Sequence, residues 1–235
     1  MKVLIIVPCY NEQVSLPQLL PELCKVKFSE KYDIEVCVVN DCSKDDTRSI
    51  ALKYPVILID LPVNLGIGGA VQSGFKYAAK NNFDLAIQVD GDGQHPPKEL
   101  IKLINCYENT AANLVIGSRF IEKEGFQSTF ARRMGVTYFH QLNKLFTGKN
   151  IYDSTSGFRL FDKKAIQLGA VYYPDDYPEP ESLVVFSRAG LSIRETPVIM
   201  SHRTGGKSSI GNFTSVYYCL KVTIAMFFSF IRKQQ

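Results

Sequence analysis

The chain reads as an α/β fold: a mostly parallel central sheet flanked by helices, followed by an apolar C-terminal helix. Short apolar, β-branched runs at residues 3–7, 34–39, 56–59, 85–89 and 114–116 have the character of strands buried on both faces. Stretches with helical spacing at 13–26, 44–53, 68–81 and 98–107 lie between them, and that alternation builds a parallel sheet through right-handed crossovers. Polar residues gather just after strands, where such sheets bind ligands: Asn11-Glu12, Asn40-Asp41 and Asp90-Gly91-Asp92.

Taken in order, run 3–7 follows only Met1-Lys2 and leads straight into Tyr10-Asn11-Glu12, so it reads as a strand rather than a signal peptide. Ser43 or Asp45 suffices to cap helix 44–53, which leaves Asp41 without a structural duty and free for function. Pro96-Pro97 opens the fourth helix. Residues 128–147 form an amphipathic helix with Phe130, Met134, Tyr138 and Leu142 on one stripe, and Arg132, Arg133, His140 and Lys144 largely off it. Segment 172–181 carries three prolines and four acids and reads as a loop. A helix over 182–189, a strand over 192–197 and a helix over 213–231 complete the chain. The expected division is one domain, 1–212, with 213–235 as a membrane-associating C-terminal helix.

Composition excludes a disordered or low-complexity chain, since 46% of the residues are hydrophobic and 21% charged. The net charge of +4 conceals an uneven distribution. Segment 125–152 holds Arg132, Arg133, Lys144 and Lys149 without an acid, and segment 196–235 holds Arg203, Lys207, Lys221, Arg232 and Lys233 without an acid. Without those nine cations, 18 basic residues face 23 acids, and the rest of the chain sums to −5. The six cysteines show no CxxC pair and read as free thiols in a reducing cytosol. Run 222–231 is too short to span a bilayer but long enough to lie in one, with Arg232-Lys233 meeting anionic headgroups. The expected location is therefore peripheral, on the inner face of the cell membrane, through 125–152 and 213–235. A homo-oligomer packed through the same helix is the competing account. No nucleic-acid partner is expected.

Asp90-Gly91-Asp92-Gly93 supplies two carboxylates at a strand end, a hard-oxygen site for Mg²⁺ or Mn²⁺. Asp41 stands where an acid can accept hydrogen bonds from a nucleobase or ribose. Asn64-Leu65-Gly66-Ile67-Gly68-Gly69-Ala70 looks like the start of a dinucleotide fingerprint, but Val71 replaces its third glycine, and close backbone packing explains the run equally well.

Together with Val7-Pro8-Cys9-Tyr10-Asn11-Glu12, Gly117-Ser118-Arg119 and Thr155-Ser156-Gly157-Phe158-Arg159-Leu160, these motifs resemble the family 2 glycosyltransferases of GT-A fold. The chain is most similar to the dolichyl- or polyprenyl-phosphate sugar synthases and bacterial cell-envelope polysaccharide transferases. The resemblance implies metal-dependent transfer, with inversion, from a UDP-, GDP- or dTDP-sugar to a lipid-linked or glycan acceptor. Pro8, Tyr10 and Glu12 would line the nucleotide pocket, Asp41 would bind base or ribose, and Asp90 and Asp92 would hold the metal against the donor diphosphate. Arg203, with Lys207 nearby, would oppose the charge developing on that diphosphate. A hydroxyl acceptor needs a carboxylate base, from Asp175, Asp176, Glu179 or Glu181, with Glu181 first; a lipid phosphate arrives already ionised. The alternatives are a nucleotidyltransferase, which needs a basic triphosphate-gripping loop that residues 8–12 do not offer, and a catalytically idle subunit recruiting partners to the membrane.

Overall fold

A computed structural model describes residues 1–122, 130–176, 178–201 and 214–232, with backbone alone for 130–134 and 214–218. Seven strands form one sheet: β1 (Lys2–Cys9), β2 (Asp33–Asn40), β3 (Ile57–Asp60), β4 (Leu85–Gln88), β5 (Leu114–Ser118), β6 (Arg159–Asp162) and β7 (Ile193–Pro197). Their order is β3-β2-β1-β4-β6-β5-β7, parallel throughout except for β6, which runs antiparallel to β4 and β5. The helices are α1 (Leu16–Leu23), α2 (Thr47–Ala51), α3 (Gly66–Lys80), α4 (Leu100–Thr110, after a 3₁₀ turn at Pro97–Glu99), α5 (Phe130–Thr147), α6 (Lys163–Val171), α7 (Pro178–Arg188) and α8 (Thr214–Ile231). All six cysteines are free thiols.

The continuous apolar run of β1 serves two cores at once. Val3, Ile5 and Val7 join Leu16 and Leu20 of α1 and Leu103 of α4 on one face of the sheet. Leu4 and Ile6 join Val71 and Phe75 of α3 and Ile166 of α6 on the other. Each such side chain, fully buried, contributes about 1.5–3 kcal/mol relative to exposure, so β1 anchors the molecule. A third, smaller cluster, Phe139, Val184, Val222 and Met226, joins α5, α7 and α8.

Three expectations are corrected here. β6 and α6 lie where no element is read from the sequence. The acid-proline run is a loop only to its midpoint, because Pro178 opens α7; proline suits a first helical turn, where its missing N–H has no partner to lose. On α5 the expected stripe fails at one position, since Phe139 is buried while Tyr138 stays 42% exposed, and Leu142 packs on the third cluster as read. The glycine run at the start of α3 packs on backbone. A Cβ at Gly68 would stand 1.9 Å from the Pro174 carbonyl oxygen, and the Gly68 amide donates to the Asp175 carbonyl at 3.0 Å.

The connections from β1 leave toward β2 on one side, while β4 pairs with its other edge. That reversal opens a crevice beyond the carboxyl ends of β1 and β4, the usual ligand position in such sheets.

Candidate active site

The loops after β1 and β2 are laced together. The Asn11 amide donates to Ser43 Oγ (3.0 Å), Glu12 to Thr47 Oγ1 (2.8 Å), Gln13 to Asp45 Oδ2 (3.1 Å), and the Lys44 amide to Asn11 Oδ1 (2.8 Å). Ser43 is thereby used on the β1 loop rather than as a helix cap. Asp45 does serve α2, accepting from the Thr47 amide at 3.0 Å. Asp41 proves to have a structural duty. Its carboxylate accepts from the Leu65 and Gly66 amides at 2.7 and 2.9 Å, holding the start of α3. Burial pushes the Asp41 carboxyl above its ordinary range, and those two amides pull it back. Neighbouring Asn40 is buried too, donating to Asp60 Oδ1 and accepting from the Ser43 amide. Tyr10 stays exposed at the end of β1.

Asp90 and Asp92 follow β4. The Asp90 amide donates to His95 Nδ1 (3.0 Å), whose ring stacks on Phe158 with centroids 4.8 Å apart, closing the loop over residues 90–95. Gln88 Nε2 donates to Asp90 Oδ1 at 3.1 Å. Asp92 is buried, and its carboxylate accepts from the Gln94 amide at 3.0 Å and from the Gln94 side chain. Gly91 packs against the Pro8 carbonyl, Cys9 Sγ and Glu12 Cγ, so Pro8, Glu12 and the acid pair share one crevice. Gly157 closes the opposite side. A Cβ there would stand 3.0 Å from both Asp90 carboxylate oxygens, so a larger residue would shift that carboxylate.

The donor set is oxygen only, as a hard divalent cation prefers. Among the described residues no three His, Cys, Asp or Glu side chains form a metal cluster. Mg²⁺ and Mn²⁺ sites in nucleotide enzymes fit that pattern, since such ions take one or two protein carboxylates and complete their shells with phosphate and water.

The two glutamates of the first turn of α7 part company. Glu181 Oε1 accepts from Ser229 Oγ of α8 at 2.6 Å, so this carboxylate engages the C-terminal helix. Glu179 has its carboxyl pushed up to about 7, by burial first, with Arg159 opposing and the charge of Asp90 adding to the rise. Arg119, which opposes it too, is held bidentate by Asp153, at 2.7 Å from both Nε and Nη2. Arg203 and Lys207 lie outside the described residues, as do the side chains of Arg132 and Arg133. The sequence motifs assign no role to His95, Arg119 or Arg159, although the last two stand inside quoted motifs. Glu181 stands first in the sequence reading, and the packing of α8 gives it surroundings different from those of Glu179.

A mostly parallel seven-stranded sheet with an acid pair at its switch point is the arrangement of the GT-A class. Residues 4–169 match the glycosyl transferase family 2 model, and the chain belongs to that family. It is a glycosyltransferase. It is 30% identical over 239 residues to a dolichyl-phosphate β-glucosyltransferase of Trichomonas vaginalis, covering 95% of this chain and 72% of that protein. It is also 30% identical over 220 residues to the undecaprenyl-phosphate mannosyltransferase of Micrococcus luteus, covering 89% of this chain and 88% of that one. Among solved structures, glucosyl-3-phosphoglycerate synthase from Mycobacterium tuberculosis, in complex with Mn²⁺, UDP-glucose and phosphoglyceric acid, superposes with a TM-score of 0.73 at 16% identity. That superposition covers 97% of this chain and 79% of that one, and at this identity it speaks for the fold.

Proposed function

We propose that the protein transfers a sugar, with inversion, from a nucleoside-diphosphate donor to the phosphate of a polyprenyl-type lipid at the cytoplasmic face of a membrane. The observation that carries this reading is the convergence on one crevice of Glu12, Asp90 and Asp92, with the raised Glu179 carboxyl in the field of Asp90. The named activities of the relatives in T. vaginalis and M. luteus support the choice of acceptor.

Asp90 and Asp92 would hold Mg²⁺ or Mn²⁺, which when bound supplies positive charge to the diphosphate leaving group. Pro8, Tyr10, Glu12 and Asp41 would line the donor side, and Arg203 would oppose the leaving group's charge. Glu179, rather than Glu181, is the carboxylate we assign to the acceptor. A phosphate monoester loses its second proton near pH 6, so close to neutrality part of it arrives singly protonated. Glu179, at about 7, is matched to take that proton. The freed phosphate oxygen then attacks the anomeric carbon from the face opposite the donor diphosphate. The sugar–diphosphate bond breaks, and nucleoside diphosphate leaves with its electron pair.

The segment 213–235 is assigned to the membrane. No helix among the described residues is long and apolar enough to cross one. Leu220, Ile224, Phe227, Phe228 and Ile231 are nevertheless all exposed on α8, at the i, i+4, i+7, i+8, i+11 spacing of a single face. That stripe lies opposite buried Val222 and Met226 and suits a helix lying in the lipid interface.

The test is release of nucleoside diphosphate from sugar nucleotides with polyprenyl-phosphate vesicles and Mn²⁺. Asp92→Asn should lower the rate by roughly 100-fold or more, because several kcal/mol of charge stabilisation is removed. An unchanged rate would sink the metal assignment, and release of pyrophosphate would mark nucleotidyl transfer instead.

A further inference from the structure

Arg159 is the largest fully buried side chain among the described residues, and no described carboxylate pairs with it as an ion. Burying a guanidinium is expensive unless its donors are satisfied, so what satisfies them says what it is for. Nε donates to the Ser156 carbonyl (2.7 Å), Nη2 to the Ser154 carbonyl (3.0 Å) and the Glu179 carbonyl (2.9 Å), and Nη1 to Ser182 Oγ (2.9 Å). Ser182 Oγ, itself buried, donates to that same Glu179 carbonyl at 3.1 Å. Two side-chain donors thus converge on the backbone carbonyl of Glu179. The Arg159 contacts to the Ser154 and Ser156 carbonyls fix residues 154–156, directly before Gly157, where an added Cβ would stand 3.0 Å from the Asp90 carboxylate. Arg159 also pairs in register with Gln88, which donates to Asp90. One rigid planar fork therefore ties the 154–156 loop to the first turn of α7, a task the single point charge of lysine cannot perform.

We propose that Arg159, acting with Ser182, is a positioning residue for glycosyl transfer: it fixes the Glu179 backbone relative to Asp90 and works through the Glu179 carboxyl. This rests on the role proposed above for Glu179. A purely architectural arginine would support the fold without regard to what Glu179 does, and a double-mutant cycle separates the two.

The experiment uses the full chain with Mn²⁺, sugar nucleotide and polyprenyl-phosphate vesicles, measuring kcat and donor KM for Ser182→Ala, Glu179→Gln and the double variant, normalised to folded protein by circular dichroism. Ser182→Ala should lower kcat about tenfold, the penalty of one lost hydrogen bond to a charged group, with donor KM unchanged. In the Glu179→Gln background it should cause no further loss. Ser182→Thr, which keeps the hydroxyl, should restore most of the rate. Arg159→Lys should give a larger loss that Glu179→Gln masks in the same way, and it stands in if Ser182→Ala does not fold. Equal fold-losses in both backgrounds, or a donor KM that worsens in step with kcat, would overturn the inference. A large effect of Glu179→Gln beside an unchanged Ser182→Ala and Arg159→Lys would overturn the positioning role alone. An unaltered Glu179→Gln would overturn the Glu179 assignment and the positioning role with it.

Discussion

Glu179 and Glu181 are two residues apart in one turn, chemically identical, and given different surroundings by what packs on them. Glu181 is bonded to Ser229, whereas Glu179 has lost water without gaining a partner that fully replaces it. The sequence narrows the choice to four acids in one run. What surrounds each of them depends on where α8 lies, which no local pattern reveals. Asp41 teaches the same lesson in reverse: its carboxylate holds the α3 amides, contacts made across 24 and 25 residues that no local capping pattern announces. The raised Glu179 carboxyl has a consequence for stability. A carboxyl whose folded pKa is raised favours the native state below its ordinary value near 4.5, and that benefit is lost as pH climbs through about 7. In metal-free protein, Glu179→Gln should therefore be more stable than wild type at pH 8, by about 2 kcal/mol after discounting for partial exposure, and should match it at pH 4.5. Thermal unfolding at the two pH values checks this. An equal Tm at pH 8 would mean that the Glu179 carboxylate is already compensated.

At the scale of elements, the first half of the sheet was legible because β1, β2 and β4 are largely apolar runs, each followed by a helix. β6 was not, because Arg159 heads its four residues and a buried cation breaks the apolar pattern that marks a strand. α6 carried a readable signal that went unused: Asp162 accepts from the Ala165 amide at 2.8 Å, an ordinary N-cap. In α5 both Tyr138 and Phe139 are aromatic, and periodicity alone does not choose between adjacent residues. The glycines that open α3 allowed a nucleotide reading and a packing reading, and the contact at Gly68 belongs to packing. Gly68→Ala should push residues 174–175 off the helix and lower stability by about 3 kcal/mol, or roughly 6–12 °C in Tm for a chain of this size. Differential scanning calorimetry would measure it. A shift under a degree would mean that the 174–175 backbone yields freely and does not brace the start of α3.

Over the whole molecule, the modest +4 divides into a body of −5 that carries the candidate carboxylates and two cationic segments. The second of those segments contains α8. Deleting 213–235 looks like the natural test of membrane association, but α8 is not free to be removed. Val222 and Met226 are buried against Phe139 and Val184, and Ser229 holds Glu181, so truncation would open a core as well as remove a surface. The exposed stripe can be altered without touching that core. Phe227 and Phe228 are 48% and 60% exposed, and Phe227→Ser with Phe228→Ser should leave Tm within about 1–2 °C of wild type. If the stripe lies in lipid, each phenylalanine contributes about 1.5–3 kcal/mol of burial there, and the double variant should partition onto polyprenyl-phosphate vesicles at least about 100-fold more weakly. Arg232 at the helix end adds an electrostatic part that 0.5 M salt should screen, whereas the aromatic part should survive salt. Co-sedimentation with vesicles at low and high salt separates the two contributions. Unchanged partitioning of the double variant, together with a fall from dimer to monomer in analytical ultracentrifugation, would assign the stripe to a second copy of the chain instead of the membrane.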